Sequence, residues 1–424
     1  MLYSLSDMKS EQKRIDSEQL FARFDRYARI WTTSDAHINS SPTTERQWEL
    51  LKLLKAELEE LGVEVELDDQ GFLLGRLSAT PGCESAPVIG LMAHVDTAAD
   101  VSGEGVEPQR HAAWDGTPIQ LKDGVVLDPA EMPELAARKG DTIITSDGTT
   151  LLGADDKAGL AEIMAAVQFL HSHPEASHGP LEIIFTPDEE TGKGMDRFPK
   201  ERIRSRCCYT LDGDVRGTLE SECFTAYRAE VHFRGVASHP GRARGRMVNA
   251  ISMLGSFLKL LPAAESPEAT DGRYGFYHTT EVSGQMEEAK LALILRDFEK
   301  DEVLRREKAL EAFAEAVEAE FPGGKVKLET KKQYLNMRDA FDKDPLILEL
   351  AVKAIRELGL NPEFTPIRGG TDGARLSEMG IPTPNLFTGG HNFHSLAEWA
   401  SLESMAMAAE MVLNLVRLWS EIEA

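Results

Sequence analysis

The sequence predicts an α/β protein: a larger domain on a mixed, mainly parallel sheet flanked by helices, into which a ferredoxin-like βαββαβ domain is inserted. Three observations predict it. A chain of 424 residues exceeds one ordinary core and favours two domains. Apolar runs bounded by turn residues alternate with helical stripes up to about residue 222 and again after 333, the alternation of a layered α/β domain. Between them, residues 223–333 follow the order strand, helix, strand, strand, helix, strand of a split βαβ unit.

The elements follow in order. Residues 45–62 (ERQWELLKLLKAELEELG) place apolar side chains at helical spacing and stop at a glycine, which predicts a helix. VEVELD, GFLLGRL and PVIGLMAHVD read as strands, the last apolar throughout, as a strand buried on both faces would be. Residues 101–148 are rich in Gly, Pro and Asp and read as loop. A helix is expected from about Asp156 to His171, its stripe formed by Leu160, Ile163, Met164, Val167 and Leu170. LEIIFTPDEE and CCYTLDGD read as further strands. The inserted domain takes strands at 224–234, 275–284, 289–297 and 325–333, with helices at 247–261 and 300–320. A helix at 345–358, the run PTPNLFTGG and a helix from about Ser401 complete the larger domain, residues 1–222 and 334–424.

Composition narrows the function classes. The chain is 42% hydrophobic and 28% charged, as a globular protein is. Met1 to Ile15 is polar and lacks the apolar core of a signal peptide. No apolar run reaches the roughly 18–20 residues a membrane span needs. A cytoplasmic location without membrane association is therefore expected. A formal net charge of −25 repels phosphate backbones and disfavours nucleic acid as a partner. Cys83, Cys207, Cys208 and Cys223 form no C-x-x-C pair, so a thiolate metal site is not expected and reduced core cysteines are.

Chemistry-bearing residues gather where the buried strands end. PVIGLMAHVD ends in His94 and Asp96, LEIIFTPDEE in Glu189 and Glu190, CCYTLDGD in Asp212, and PTPNLFTGGHNFH in His394. Asp155 stands in LLGADDKAG, where a turn enters a helix. Each has an ordinary structural use: Asp155 could cap its helix, Asp212 could serve an Asp-Gly turn, the histidines and glutamates could be solvated. Those uses would have to coincide at five places on one sheet edge, the edge at which open α/β sheets bind ligands. Imidazoles and carboxylates together suit a zinc-type metal. With His94, Asp155, Glu190, Asp212 and His394 as ligands, three carboxylates, two divalent cations and one hydroxide sum to neutrality. Each metal then has three ligands if one carboxylate bridges, a span that fits ions roughly 3.5–4 Å apart.

HVD, GADDKAG, PDEETGKG, LDGD, SHPGRARGRMVNA, RGGTDGA and NLFTGGHNFH occur in the order and spacing of the peptidase T family, which the chain resembles from about Ser17 to its C-terminus. That family of tripeptide aminopeptidases lies among the dizinc aminoacylases, carboxypeptidases and desuccinylases. The resemblance implies two zinc ions, with manganese or cobalt as substitutes. His94, Asp155 and Asp212 would bind one, and Asp155, Glu190 and His394 the other, with Asp155 bridging. It implies that Asp96 orients His94, that Glu189 is the general base for a water attacking the peptide carbonyl, and that His239 stabilises the oxyanion. Arg368 would meet the substrate carboxylate, and Asn336 and Arg296 would also reach substrate. The partners implied are small peptides, and a homodimer through the lid domain at 223–333 is a further expectation. Other amide hydrolases of the superfamily, a metal- or peptide-binding protein and a dimetal phosphohydrolase remain as alternatives. Three features depart from the family pattern: about 15 extra N-terminal residues, His391 where an aromatic, usually Tyr, is expected, and the charged Asp214 in LDGDVRG.

Overall fold

The computed structural model describes residues 14–423, so most of the polar N-terminal stretch, residues 1–13, lies outside the described residues. The chain divides into two compact units. One comprises the chain up to Ser221, Phe341–Thr365 and the chain from Thr371; the other comprises Glu222–Ala340 and Pro366–Gly370. The inserted unit is thus larger than the span 223–333 read from the sequence. Hydrogen bonding explains the difference: Asn336 N–H donates to Thr225 Oγ1 and Asn336 Oδ1 accepts from Cys223 N, while Phe224 N donates to the Ile367 carbonyl and Ile367 N to that of Glu222.

The larger unit is built on an eight-stranded sheet. Its strands lie in the order Glu64–Leu67, Leu73–Leu77, Leu181–Thr186, Ile89–His94, Cys207–Gly213, Asn385–Phe387, Thr218–Glu220 and Glu363–Phe364. The four central strands, from Leu181–Thr186 to Asn385–Phe387, run parallel, and antiparallel pairs flank them. Parallel strands need both faces covered; Ile89–His94 and Leu181–Thr186 are buried at every residue. The stretch 101–148 is less irregular than expected. Its segments Gln109–His111 and Ile143–Thr145 join Trp399–Ser401 and Gly390–His391 in a small antiparallel sheet.

Helix Ala154–Ser172 departs from its expected amphipathic form. Besides the predicted stripe, it buries Ala158, Gly159, Ala161, Glu162 and Ala166, because it packs on the sheet and on helices Ser17–Ala28 and Leu402–Ser420. Small residues make this approach possible: a Cβ on Gly159 would stand 2.0 Å from the Leu211 carbonyl oxygen. Helix Ser17–Ala28, not read from the sequence, is capped by Asp16, whose carboxylate accepts from Glu18 and Gln19 N–H.

The inserted unit is a four-stranded antiparallel sheet in the order Phe276–Gly284, Glu288–Asp297, Thr225–Arg234 and Lys325–Tyr334. Helices Ala250–Leu260 and Lys300–Glu320 cover one face around a core that includes Val231, Phe233, Phe257, Leu293 and Val317. Cys207, Cys208 and Cys223 are buried and Cys83 half-buried, all as free thiols. Among the described residues no helix is long and apolar enough to cross a membrane.

Glu162 is fully buried, and neither carboxylate oxygen has a hydrogen-bond partner. Burial pushes its carboxyl well above the usual 4.5. A carboxyl raised in the folded state contributes stability below its unfolded pKa and loses it as pH climbs through the folded value. Glu162→Gln should therefore melt higher than the wild type at pH 8, with an advantage that shrinks toward pH 5. Parallel Tm profiles of the two proteins would contradict this.

Candidate metal centre

The parallel strands deliver their functional residues to one edge. His94 is the last residue of Ile89–His94, and Asp212 the sixth of the seven in Cys207–Gly213. After Thr186 the chain turns through Asp188, whose φ is 62°, into a short 3-10 turn holding Glu189 and Glu190. Asp188 is tied down by Thr43, through N–H at 2.9 Å and hydroxyl at 2.5 Å, and by Gln47 Nε2 at 2.7 Å. His394 differs from the expectation of a strand end. Strand Asn385–Phe387 finishes earlier, the chain enters the small sheet at Gly390–His391, and His394 stands in the following loop at φ 59°.

Two groups of ligand-type residues meet at Asp155. His94, Asp155 and Asp212 place ligand atoms within 4.8 Å of one another, as do Asp155, Glu190 and His394. The two oxygens of Asp155 divide between them: Oδ1 is 2.8 Å from His94 Nε2, and Oδ2 is 3.2 Å from His394 Nε2. Asp212 Oδ1 lies 3.8 Å from His94 Nε2. Glu190 Oε1 lies 3.0 Å from His394 Nε2, yet it is buried and outside hydrogen-bonding geometry. A buried carboxylate oxygen without a donor, facing an imidazole nitrogen across a shared carboxylate, fits a pair of divalent cations.

The electrostatics agree. Burial opposes charge on His94, but the carboxylates of Asp155, Asp212 and Asp96 outweigh it and raise its pKa. The carboxylates of Asp155, which hydrogen-bonds the ring, and of Glu190 raise His394 to about 11. Burial, reinforced by the Asp155 charge, lifts Asp212 to about 6 and Glu190 to about 7. Desolvation opposes charge on the half-buried Asp155 too, yet the imidazoles of His394 and His94 hold it below the usual range. Protonated imidazoles thus balance the carboxylates where cations would do so.

A supporting layer surrounds these groups. Asp96 meets His94 Nδ1 with its backbone carbonyl at 3.0 Å and its carboxylate at 3.4 Å. That carboxylate also accepts from Glu189 N at 3.0 Å and Glu190 N at 3.2 Å. One residue thereby fixes both a histidine and the glutamate turn. Glu398 Oε2 accepts from Leu152 N and Gly153 N, and Oε1 from Asp155 N. Gly153, at φ 80°, allows the sharp entry to this turn. Asp156 Oδ2 accepts from His94 N at 3.1 Å. Asp372 accepts from the Thr186 hydroxyl at 2.6 Å. Sequence reading missed Asp156 and Asp372, because acids in D-D-K and T-D-G contexts look like caps. Glu189 is half-buried with no ion-pair partner among the described residues. Burial and the charges of Asp372, Asp212 and Glu190 push its carboxyl up.

The remaining sequence-predicted residues lie in the inserted unit. His239 is exposed and its Nδ1 accepts from Gly241 N at 3.1 Å, which places the ring proton on Nε2. Arg368 gives its guanidinium to the carbonyls of Thr270, Gly272 and Tyr274 and lies over the rings of Phe224 and Phe276. Asn336 is committed to Cys223, Phe298 and Glu222. Both are hydrogen-bonded within the inserted unit. Arg296 lies over Tyr334, with its Nε buried and without an acceptor. A third ligand-type group, Glu230, His232 and Glu329, faces solvent, and its carboxylates already pair with Lys290 and Lys327. His391 belongs to none of these groups.

Comparison with known proteins agrees with this geometry. Residues 147–418 match Peptidase family M20/M25/M40. The chain is 44% identical to a peptidase T of Listeria welshimeri, over 96% of this chain and all of that one. It is 43% identical to a peptidase T of Geobacillus kaustophilus, over 95% of this chain and 99% of the relative. The crystal structure of aminopeptidase PepT from Bacillus cereus superposes with a TM-score of 0.75 at 25% identity, covering 96% of this chain and 99% of that one. A tripeptidase of Staphylococcus aureus shares the fold at a TM-score of 0.76 and 21% identity, over 96% and 100% of the two chains.

Two outcomes are expected of the centre. Glu398→Gln should weaken divalent metal binding by about 10–100-fold, as loss of ligand-orienting groups does, measured by calorimetry. Metal binding should release protons from the ligand set, His94 and His394 among them, and weaken as pH falls; proton-neutral binding would contradict this.

Proposed function

Because this chain belongs to peptidase family M20/M25/M40, in its peptidase T branch, we propose that it removes the N-terminal residue from unblocked tripeptides at a dizinc centre. One observation supports this reading most: Asp155 is shared between two three-residue ligand groups, while the carboxylate of Glu189 has no ion-pair partner among the described residues. His94, Asp155 and Asp212 would hold one cation, and Asp155, Glu190 and His394 the other. Bound zinc would polarise the peptide carbonyl and make water a better nucleophile at neutral pH.

The chain's own residues do the rest. Glu189 takes a proton from the attacking water and delivers it to the leaving amine, so the proton leaves oxygen and arrives at nitrogen as the C–N bond breaks. Its raised pKa suits both halves of that transfer. Asp96 fixes the Glu189 backbone and, through its carbonyl, the His94 ring. His239, protonated on Nε2, offers a donor for the developing oxyanion. Arg368 is assigned the substrate carboxylate, with Arg296 and Asn336 as further substrate contacts. The reading extends to small peptides as partners and to a cytoplasmic setting.

Hydrolysis of an unblocked tripeptide, its dipeptide and its N-acetylated form, with and without a chelator, tests the reading. Chelator-sensitive release of the N-terminal residue from the tripeptide alone is expected. Preference for the dipeptide or the acetylated peptide would move the chain to a sister amide hydrolase. Glu189→Ala should retain metal and Tm while losing at least about 10²-fold in kcat; a normal rate would show that another group is the base.

A further inference from the structure

Buried polar nitrogens that the peptidase reading does not use lie in the larger unit. His391 and Trp399 are register partners across two strands of the small sheet, and their rings stack at 4.1 Å between centroids and 23° between planes. Both residues are almost fully buried, and neither His391 Nε2 nor Trp399 Nε1 has a hydrogen-bond partner. Arg138 Nε is likewise buried and unpartnered. Arg216 reaches the same strand: it donates to Ser401 Oγ at 3.2 Å, Ser404 Oγ at 2.9 Å and Asp141 Oδ2 at 2.5 Å. Asp141 is in turn linked to Arg138, whose carbonyl accepts from Asp141 N at 2.9 Å.

The charge count is one-sided. The positive charges of Arg138 and Arg216 both act on His391, and the Asp141 carboxylate is already occupied by Arg216 and the Ser401 hydroxyl. Burial and the nearby Arg138 and Arg216 lower His391 to about 3, so it is neutral. With its proton on Nε2, it becomes a third donor beside Trp399 Nε1 and Arg138 Nε. Three buried donors with no acceptor in a positive environment are costly unless an acceptor arrives.

The geometry points to a small-anion site formed by His391, Trp399 and Arg138, with Arg216 supplying further positive charge. Its ligand class is a compact monovalent anion such as chloride. The strands it joins bracket the loop that carries His394 and Glu398, so an occupied site ties down the segment that supplies one metal ligand and one turn-fixing carboxylate.

Chloride is the probe, and Tm of the zinc-loaded full chain is the readout, in sodium chloride against sodium gluconate at matched ionic strength. A saturable rise of a few degrees in chloride is expected. It should be lost in His391→Phe, which keeps the stacked ring and removes the donor; if that variant does not fold, Arg138→Gln serves. Loss of the increment in either folded variant supports the site. Equal Tm in both salts would show that a buried water alone serves these donors and overturn the proposal, as would an increment undiminished in every folded variant.

Discussion

The carboxylate of Asp155 is the constraint around which the larger unit is organised. Its two oxygens face different histidines 61 and 239 residues away in sequence, so any shift of its turn disturbs both ligand groups. The fold restrains that turn from several sides. Glu398 accepts three backbone N–H groups around it, and the helix behind it packs directly against the strand that carries Asp212. The requirement for a shared carboxylate thus accounts for a left-handed glycine, a close helix–strand contact and a buried glutamate.

The same constraint sets the electrostatics. Asp96, Asp155, Asp156, Glu189, Glu190, Asp212, Asp372 and Glu398 lie at or beside one edge of the sheet, in a chain with a net charge of −25. Carboxylates so placed cannot all ionise without compensation. Protonation of His94 and His394 supplies part of it, and burial keeps several carboxyls near neutral pKa values. Two divalent cations would supply the rest, so metal affinity and unsatisfied charge are two aspects of one arrangement.

Most of the architecture was legible in the sequence because it is written in local patterns. Apolar runs ending in His94, Thr186 and Asp212 mark parallel strands and the edge where their residues meet, and the βαββαβ order marks the inserted unit. What sequence did not show depends on three-dimensional partners. Asp96 fixes the glutamate turn through backbone donors, which no motif specifies. Arg368 and Asn336 sit in motif-like contexts, yet their hydrogen bonds go to the inserted unit itself. Glu398 is 243 residues from the Asp155 N–H it accepts, a link with no periodic signature. Helix Ser17–Ala28 escaped because its buried face, Leu20, Phe24, Tyr27 and Ala28, is short and interleaved with charge.

X-ray absorption at the zinc edge of the fully loaded protein tests the central claim most directly. A shared Asp155 predicts a zinc–zinc vector of roughly 3.5–4 Å with mixed imidazole and carboxylate ligation at both ions. Absence of that vector at full loading, or thiolate ligation at either ion, would contradict it.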